Sequence, residues 1–271
     1  MKNLIYMCVF FNHKYIQLTK ILLKSLKIFG KIDNTIDVLI ITNSNFKDEL
    51  STFCKSLDIS YKIHVFDKIT IEESKISRYE IFRIKDDVNL KEYSQILYLD
   101  IDVIIQNDIK KIFTYSLQEK LYAKDHGDIG ADMYGKILFD EWRKRNNDNY
   151  IDKKTKSFCS GVLLFKNCKK VEELFEKTLN HMSEYKKSGK EFGTCIDQPF
   201  LNFNAIITNM YDIELLTDKI TNSPDINSKK EIICHFAGNT CVFDVKNTKM
   251  INLYDYRIKE LRDELRDESY N

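Results

Sequence analysis

The apolar run Leu4–Phe11 reads as a first buried strand. Polar Asn12–Tyr15 follows as a loop. Apolar residues then recur at helical spacing over Ile16–Phe29 and stop at Gly30. Ile36–Thr42 predicts a second strand, Asp48–Leu57 a helix and Tyr61–Phe66 a third strand. Ser74–Ile84 predicts a helix carrying Arg78 and Arg83, and Ile96–Ile105, ILYLDIDVII, a fourth strand. This alternation implies an α/β fold with a mostly parallel sheet covered on both faces.

Beyond residue 105 the pattern is less regular. Ala123–Tyr134 is a Gly- and Asp-rich loop and Phe139–Asn149 a polar helix. Phe158–Phe165, FCSGVLLF, is a strand, and Val171–Tyr185 is a helix. Cys195–Asn204, which holds DQPFLN, turns helical. Glu231–Phe236 is a late strand, and Arg257–Glu268 is a charged helix with Leu261 and Leu265 as its apolar edge. There is no internal repeat, linker or low-complexity tract, so one domain over residues 1–271 is expected.

Composition narrows the function classes. With 43% hydrophobic residues the chain can bury a sizeable core. A formal net charge of +1 argues against nucleic acid as a partner. Leu4–Phe11 is too short to span a bilayer, and no small-residue cleavage site follows it, so no transmembrane segment or secretion signal is read there. Seven cysteines without a C-x-x-C pair look like reduced, buried thiols, and the expected location is cytoplasmic.

Asp100 and Asp102 interrupt the apolar run of the fourth strand. Residues i and i+2 of a strand share a face, so both carboxylates can converge. Two unpaired charges there would repel and be costly to desolvate. Mg²⁺ or Mn²⁺ removes that conflict and commonly also holds substrate phosphate oxygens. Ligands of such sheets bind beyond the carboxyl ends of the strands, where these aspartates fall.

The segments ILYLDIDVII, FCSGVLLF, DQPFLN and HFAG, in that order, resemble glycosyltransferase family 8 over roughly residues 4–243. This is the glycogenin-like and galactosyltransferase-like group of retaining enzymes. The resemblance implies a GT-A fold: a Rossmann-like, nucleotide-binding architecture with a central mixed, mostly parallel sheet flanked by helices. Residues 1–105 would form the nucleotide-binding half and residues 106–250 the donor and acceptor half, with residues 251–271 as a C-terminal charged helix.

The same resemblance implies site roles. Asp100, Asp102 and His235 would hold Mn²⁺, with Mg²⁺ as the alternative ion. Val9 and Phe10 would wall a uridine pocket, Asn12 would reach the ribose or base, and Tyr15 would stack on uracil. Arg78 would touch the diphosphate or donor sugar, with Arg83 as its rival. Ser160 and Gly161 would line the donor sugar, although Cys159 stands where the family has asparagine. Asp197 would bind donor hydroxyls and Gln198 would lie near the anomeric carbon, its amide oxygen facing developing positive charge. Gly238 fits an H-x-x-G-x-x-K element that holds the diphosphate. Cys241 occupies its lysine position, so Lys246 or Lys249 is the candidate substitute.

The implied activity is Mn²⁺-dependent transfer of glucose or galactose from a UDP-sugar to an acceptor hydroxyl of a glycan, protein or small molecule, with retention. Tyr254, Tyr256 and Tyr270 raise self-glucosylation, and a homo-oligomer stays open. Two alternatives remain: a catalytically weak sugar-nucleotide binder, and a haloacid-dehalogenase-like phosphohydrolase in which GDIGAD at Gly127–Asp132 is the distal acidic motif. The second leaves DQPFLN and HFAG unexplained.

Overall fold

A computed structural model describes residues 1–67, 70–84, 87–130, 152, 154–193, 195–237 and 243–268. The expected helix Phe139–Asn149, as well as Gly238, Cys241, Tyr270 and the end of GDIGAD, lie outside the described residues.

β1 (Lys2–Val9), β2 (Ile36–Thr42), β3 (Tyr61–Val65) and β4 (Tyr93–Leu99) form the parallel half of a seven-stranded sheet. β7 (Lys156–Lys166) joins β4 antiparallel. β6 (Leu121–Asp128) and the short β8 (Tyr211–Asp212) complete the order β3-β2-β1-β4-β7-β6-β8. A second sheet, in the order β5-β10-β9, contains β5 (Val103–Ile105), β9 (Ile220–Thr221) and β10 (Ile233–His235).

The period-2 pattern of the strands sorts their side chains into two core layers. Ile5, Met7 and Val9 of β1 pack with Leu97 and Leu99 of β4. They lie beneath Leu22 and Leu26 of α1 (Lys14–Ile28) and Leu50 of α2 (Ser44–Ser56). Leu4 and Tyr6 face the other way, with Tyr98, Leu163 and Phe165. That layer is closed by Leu174 and Phe175 of α4 (Lys169–Lys187) and Leu201 of α5 (Gln198–Ile207). Among the described residues no helix is long and apolar enough to cross a membrane.

Four expectations need correction. Ile96–Ile105 is two strands in two sheets, with a bend at the aspartates between them. Ser74–Ile84 is also divided. A capping box between Thr70 and Glu73 starts α3 (Ile71–Ile76) three residues early, and the chain tightens into a 3-10 turn over Ser77–Arg83. The segment expected as a loop from Ala123 is strand β6 as far as Asp128, paired along β7. The last helix, α6, runs Phe243–Glu268 and begins fourteen residues before Arg257.

Candidate active site

The two aspartates sit at the seam between the sheets. As β4 ends, the Asp100 amide donates to Gly161 O of β7 at 2.7 Å. The chain then bends and enters β5, where Val103 lies opposite His235 of β10. Just beyond β10 the Phe236 amide donates to Asp102 O at 2.9 Å. Backbone bonds from both sheets thus fix the two aspartates, and strand pairing brings His235 to them. One ligand atom from each of Asp100, Asp102 and His235 lies within 4.8 Å of the others. His235 Nε2 is 3.4 Å from Asp102 Oδ1 and 4.0 Å from Asp100 Oδ2.

Two carboxylates and one imidazole nitrogen suit Mn²⁺ or Mg²⁺. Two further observations fit such an ion. A Cβ at Gly161 would collide with the His235 ring, 2.6 Å from Nε2, and would sit 2.8 Å from Asp100 Oδ2, so only glycine leaves this cradle open. The opposite ring nitrogen, Nδ1, faces Asn222 Oδ1 at 3.3 Å and Cys159 Sγ at 3.7 Å. In the neutral ring, donation from Nδ1 to Asn222 would leave the Nε2 lone pair for a metal, the tautomer a metal needs.

Arg78 organises the other side. Its guanidinium lies 3.1 Å from Asp100 Oδ1 and 3.4 Å from Asp197 Oδ2, donates to Ser160 O at 2.9 Å, and covers the Tyr98 ring. Tyr98 and Tyr79 donate hydroxyl hydrogens to Asp100 at 2.5 Å and to Asp197 at 2.6 Å. Tyr6 donates to the Arg78 carbonyl at 2.8 Å. The 3-10 turn explains the choice between the two arginines: it buries Arg78, Tyr79 and Phe82 together and leaves Arg83 outside, paired with Glu176 of α4.

The electrostatics separate the two aspartates. Burial, and then the neighbouring Asp102 charge, push Asp100 above its ordinary range against the pull of Arg78. Burial also opposes ionisation of Asp102, but His235 and Lys246 outweigh it and hold that carboxyl well below. Burial would lower His235; Cys159 and Asp102 beside it raise it well above the ordinary imidazole value. This splitting is what close, unequally paired carboxylates produce.

Asp197 occupies the N-cap position of α5, with Pro199 in the first turn, yet its side chain makes no capping bond. The carboxylate is instead committed to Arg78 and Tyr79, both on Oδ2. Gln198 Oε1 accepts from the Ser160 amide at 3.2 Å. The oxygen expected to face an anomeric carbon is therefore engaged with backbone, and the buried Nε2 has no partner among the described residues.

The loop after β1 departs furthest from expectation. Val9 and Phe10 are 0% and 4% exposed, and their side chains lie in opposite core layers, so neither offers a side-chain wall to a base. The exposed aromatics are Phe11, at 49%, and Tyr15, at 37%. Phe11 holds a positive φ of 76°. Asn12 Oδ1 accepts from the Lys14 amide at 2.9 Å and shapes the turn into α1.

Sequence reasoning passed over Phe11, Tyr79, Tyr98 and Asn222. Tyr98 carried a usable signal, two residues before Asp100 on one strand. Asn222 carried none, since only the folding of the short β9 brings it to His235. Of the tyrosines considered for self-glucosylation, Tyr254 packs edge-on to Phe29.

Solved structures similar to this chain show the same architecture. WbbM, a bifunctional glycosyltransferase, matches with a TM-score of 0.59 at 14% identity over 95% of this chain and 52% of its own. The glycosyltransferase GlyE of Streptococcus pneumoniae matches at 0.57 and 18% identity, over 97% of this chain and 64% of its own. The chain thus spans about half of WbbM and under two thirds of GlyE. The galactosyltransferase LgtC, solved with donor and acceptor sugar analogs, matches at 0.59 and 12% identity over 95% of both chains. These likenesses establish a GT-A fold. Comparison with curated protein sequences finds no match. The family model for Glycosyl transferase family 8 covers residues 9–240, and the chain belongs to that family.

Proposed function

We propose that this glycosyltransferase moves a hexose from a UDP-sugar to an acceptor hydroxyl with retention of anomeric configuration, dependent on Mn²⁺. The observation that carries the reading is the convergence of Asp100, Asp102 and His235 at the seam of the two sheets, with Asp197 joined to the cluster through Arg78. Asp100, Asp102 and His235 would hold the ion; when bound, it supplies positive charge against the donor's diphosphate and favours departure of UDP.

The chain's own residues supply orientation. Arg78 holds Asp100 and Asp197 at a fixed separation, and Tyr98 and Tyr79 lock each carboxylate's rotamer. With Oδ2 so engaged, Asp197 accepts from donor-sugar hydroxyls through its other oxygen. Gln198 donates from Nε2, the group left unpartnered, to the same sugar. A neutral amide is a poor nucleophile, so Gln198 forms no glycosyl intermediate. The acceptor hydroxyl attacks from the face that UDP leaves. The anomeric carbon's bond to the diphosphate oxygen breaks as its bond to the acceptor oxygen forms, and the acceptor proton passes to the departing diphosphate.

The test is a screen of UDP-, GDP- and ADP-sugars with Mn²⁺, reading nucleotide release, followed by NMR of the glycoside formed. UDP release that requires Mn²⁺ and a product that keeps the donor configuration are expected. An inverted product would overturn the retaining assignment. Binding of UDP-sugars without release would make the chain a sugar-nucleotide binder, and hydrolysis of simple phosphate esters instead would make it a phosphohydrolase.

A further inference from the structure

Both oxygens of Asp102 are engaged by the protein itself. His235 Nε2 faces Oδ1 at 3.4 Å, and Lys246 Nζ reaches Oδ2 at 2.5 Å. Lys246 lies near the start of α6, and both partners of the pair are largely shielded from solvent.

The helix behind Lys246 is anchored elsewhere. Met250 and Leu253 pack against Leu18, Ile104 and Phe236. Further along, Arg257 donates to Gln106 Oε1 at 3.0 Å and to Ser228 O at 2.9 Å. Near the helix start, Asp244 meets Lys14 Nζ at 3.2 Å, which sets this part of α6 beside the N-terminus of α1. The side chain of Lys246 therefore ends at Asp102, on a helix whose start is tied to the N-terminus of α1. Its four-carbon stem can turn without displacing the helix.

A divalent ion on Asp102 and the Lys246 ammonium compete for one carboxylate. A diphosphate brings new anionic oxygens to the same place. Cys241 stands where the family element has its lysine, so that position supplies no cation. We propose that Lys246 is an exchanging cation: it neutralises Asp102 in the free protein, and transfers to the diphosphate when metal and nucleotide arrive together. The inference rests on the UDP-sugar reading above. Its consequence is coupled binding, in which metal alone binds weakly because it must displace Lys246, and each ligand strengthens the other.

The experiment measures Mn²⁺ binding by electron paramagnetic resonance of the free ion, with and without UDP, and UDP binding by calorimetry at saturating Mn²⁺. The wild type is compared with Lys246→Met and Lys246→Gln, each confirmed as folded by its unfolding midpoint. Two substitutions of different polarity keep the test available if one fails to fold. In either variant Mn²⁺ alone should bind roughly tenfold tighter, and UDP in the presence of Mn²⁺ roughly tenfold weaker, the scale of one hydrogen bond between charged groups. Unchanged coupling in a folded variant, alongside Mn²⁺-dependent UDP binding by the wild type, overturns the exchange and leaves the UDP-sugar reading standing. A wild type that shows no Mn²⁺-dependent UDP binding overturns both.

Discussion

Phe11 sits in a region of backbone space that bulky side chains avoid, at a cost of about 1–2 kcal/mol. Its ring is nonetheless half exposed, in the loop between β1 and α1. Strain of this kind persists where surroundings or function require it. Phe11→Gly should relieve it, while the greater freedom of unfolded glycine offsets about 1 kcal/mol of the gain. The unfolding midpoint should therefore hold or rise slightly. UDP affinity should fall by about 1–3 kcal/mol if the ring carries a base. A variant that loses stability and keeps its UDP affinity would make Phe11 structural. Gly161 is the opposite case, a residue whose missing side chain matters. Gly161→Ala places a methyl group against His235 and Asp100. The strand around it is buried and well paired, so the fold should persist. Mn²⁺-dependent UDP binding should weaken by at least roughly tenfold, readable by calorimetry, since the ligand atoms must move apart.

At the scale of elements, one carboxylate ties the parallel strands together. Asp37, on β2, accepts from Lys2 of β1 at 2.9 Å, from Ser60 at 2.7 Å and from Tyr93 of β4 at 2.8 Å. Burial raises its pKa, but the bonds from Ser60, Lys2 and Tyr93 win and leave it below the ordinary value. A carboxyl depressed in the folded state adds stability above its unfolded pKa, and that stability is lost as pH falls through the folded value. Asp37→Ala should cost about 3 kcal/mol at pH 7, because it leaves the Tyr93 hydroxyl buried without a partner. Urea midpoints of variant and wild type should approach one another below about pH 4. A gap independent of pH would show that shape rather than charge holds the strands.

The elements also show how much the sequence could reveal. β1 and β2 follow from apolar runs and β3 from the alternation of YKIHV, and their parallel pairing follows from the helices between them. The break after Leu99 could not be read, because the run resumes beyond the aspartates through Ile105 and only pairing partners distant in sequence divide it between two sheets. The start of α6 was hidden for a related reason. Its first turn is held through Asp244 and Lys246 to partners more than a hundred residues away, and the apolar stripe behind it, Met250, Leu253 and Tyr254, is short. The aspartates and His235 were legible as residue types, whereas the choice of Arg78 over Arg83 depended on a 3-10 turn that helical spacing does not reveal.

For the whole molecule, the site joins the two sheets. The large sheet brings Gly161 to the cluster, and the small sheet brings His235; Asp100 and Asp102 lie in the link between β4 and β5. A ligand held by residues of both should clamp one sheet to the other and raise the stability of the whole chain. At a hundred times its dissociation constant, a ligand specific to the folded state adds about 2.7 kcal/mol. For a chain of this size that corresponds to a rise in Tm on the order of 5 °C. Mn²⁺ with UDP should produce this shift in the wild type. Arg83→Ala, which removes only an exposed pair with Glu176, should keep it. His235→Ala should lose most of it, since the small sheet then contributes no ligand. Should His235→Ala keep the full shift, the small sheet is not part of the ligand site, and the metal would have to be held by the two aspartates alone.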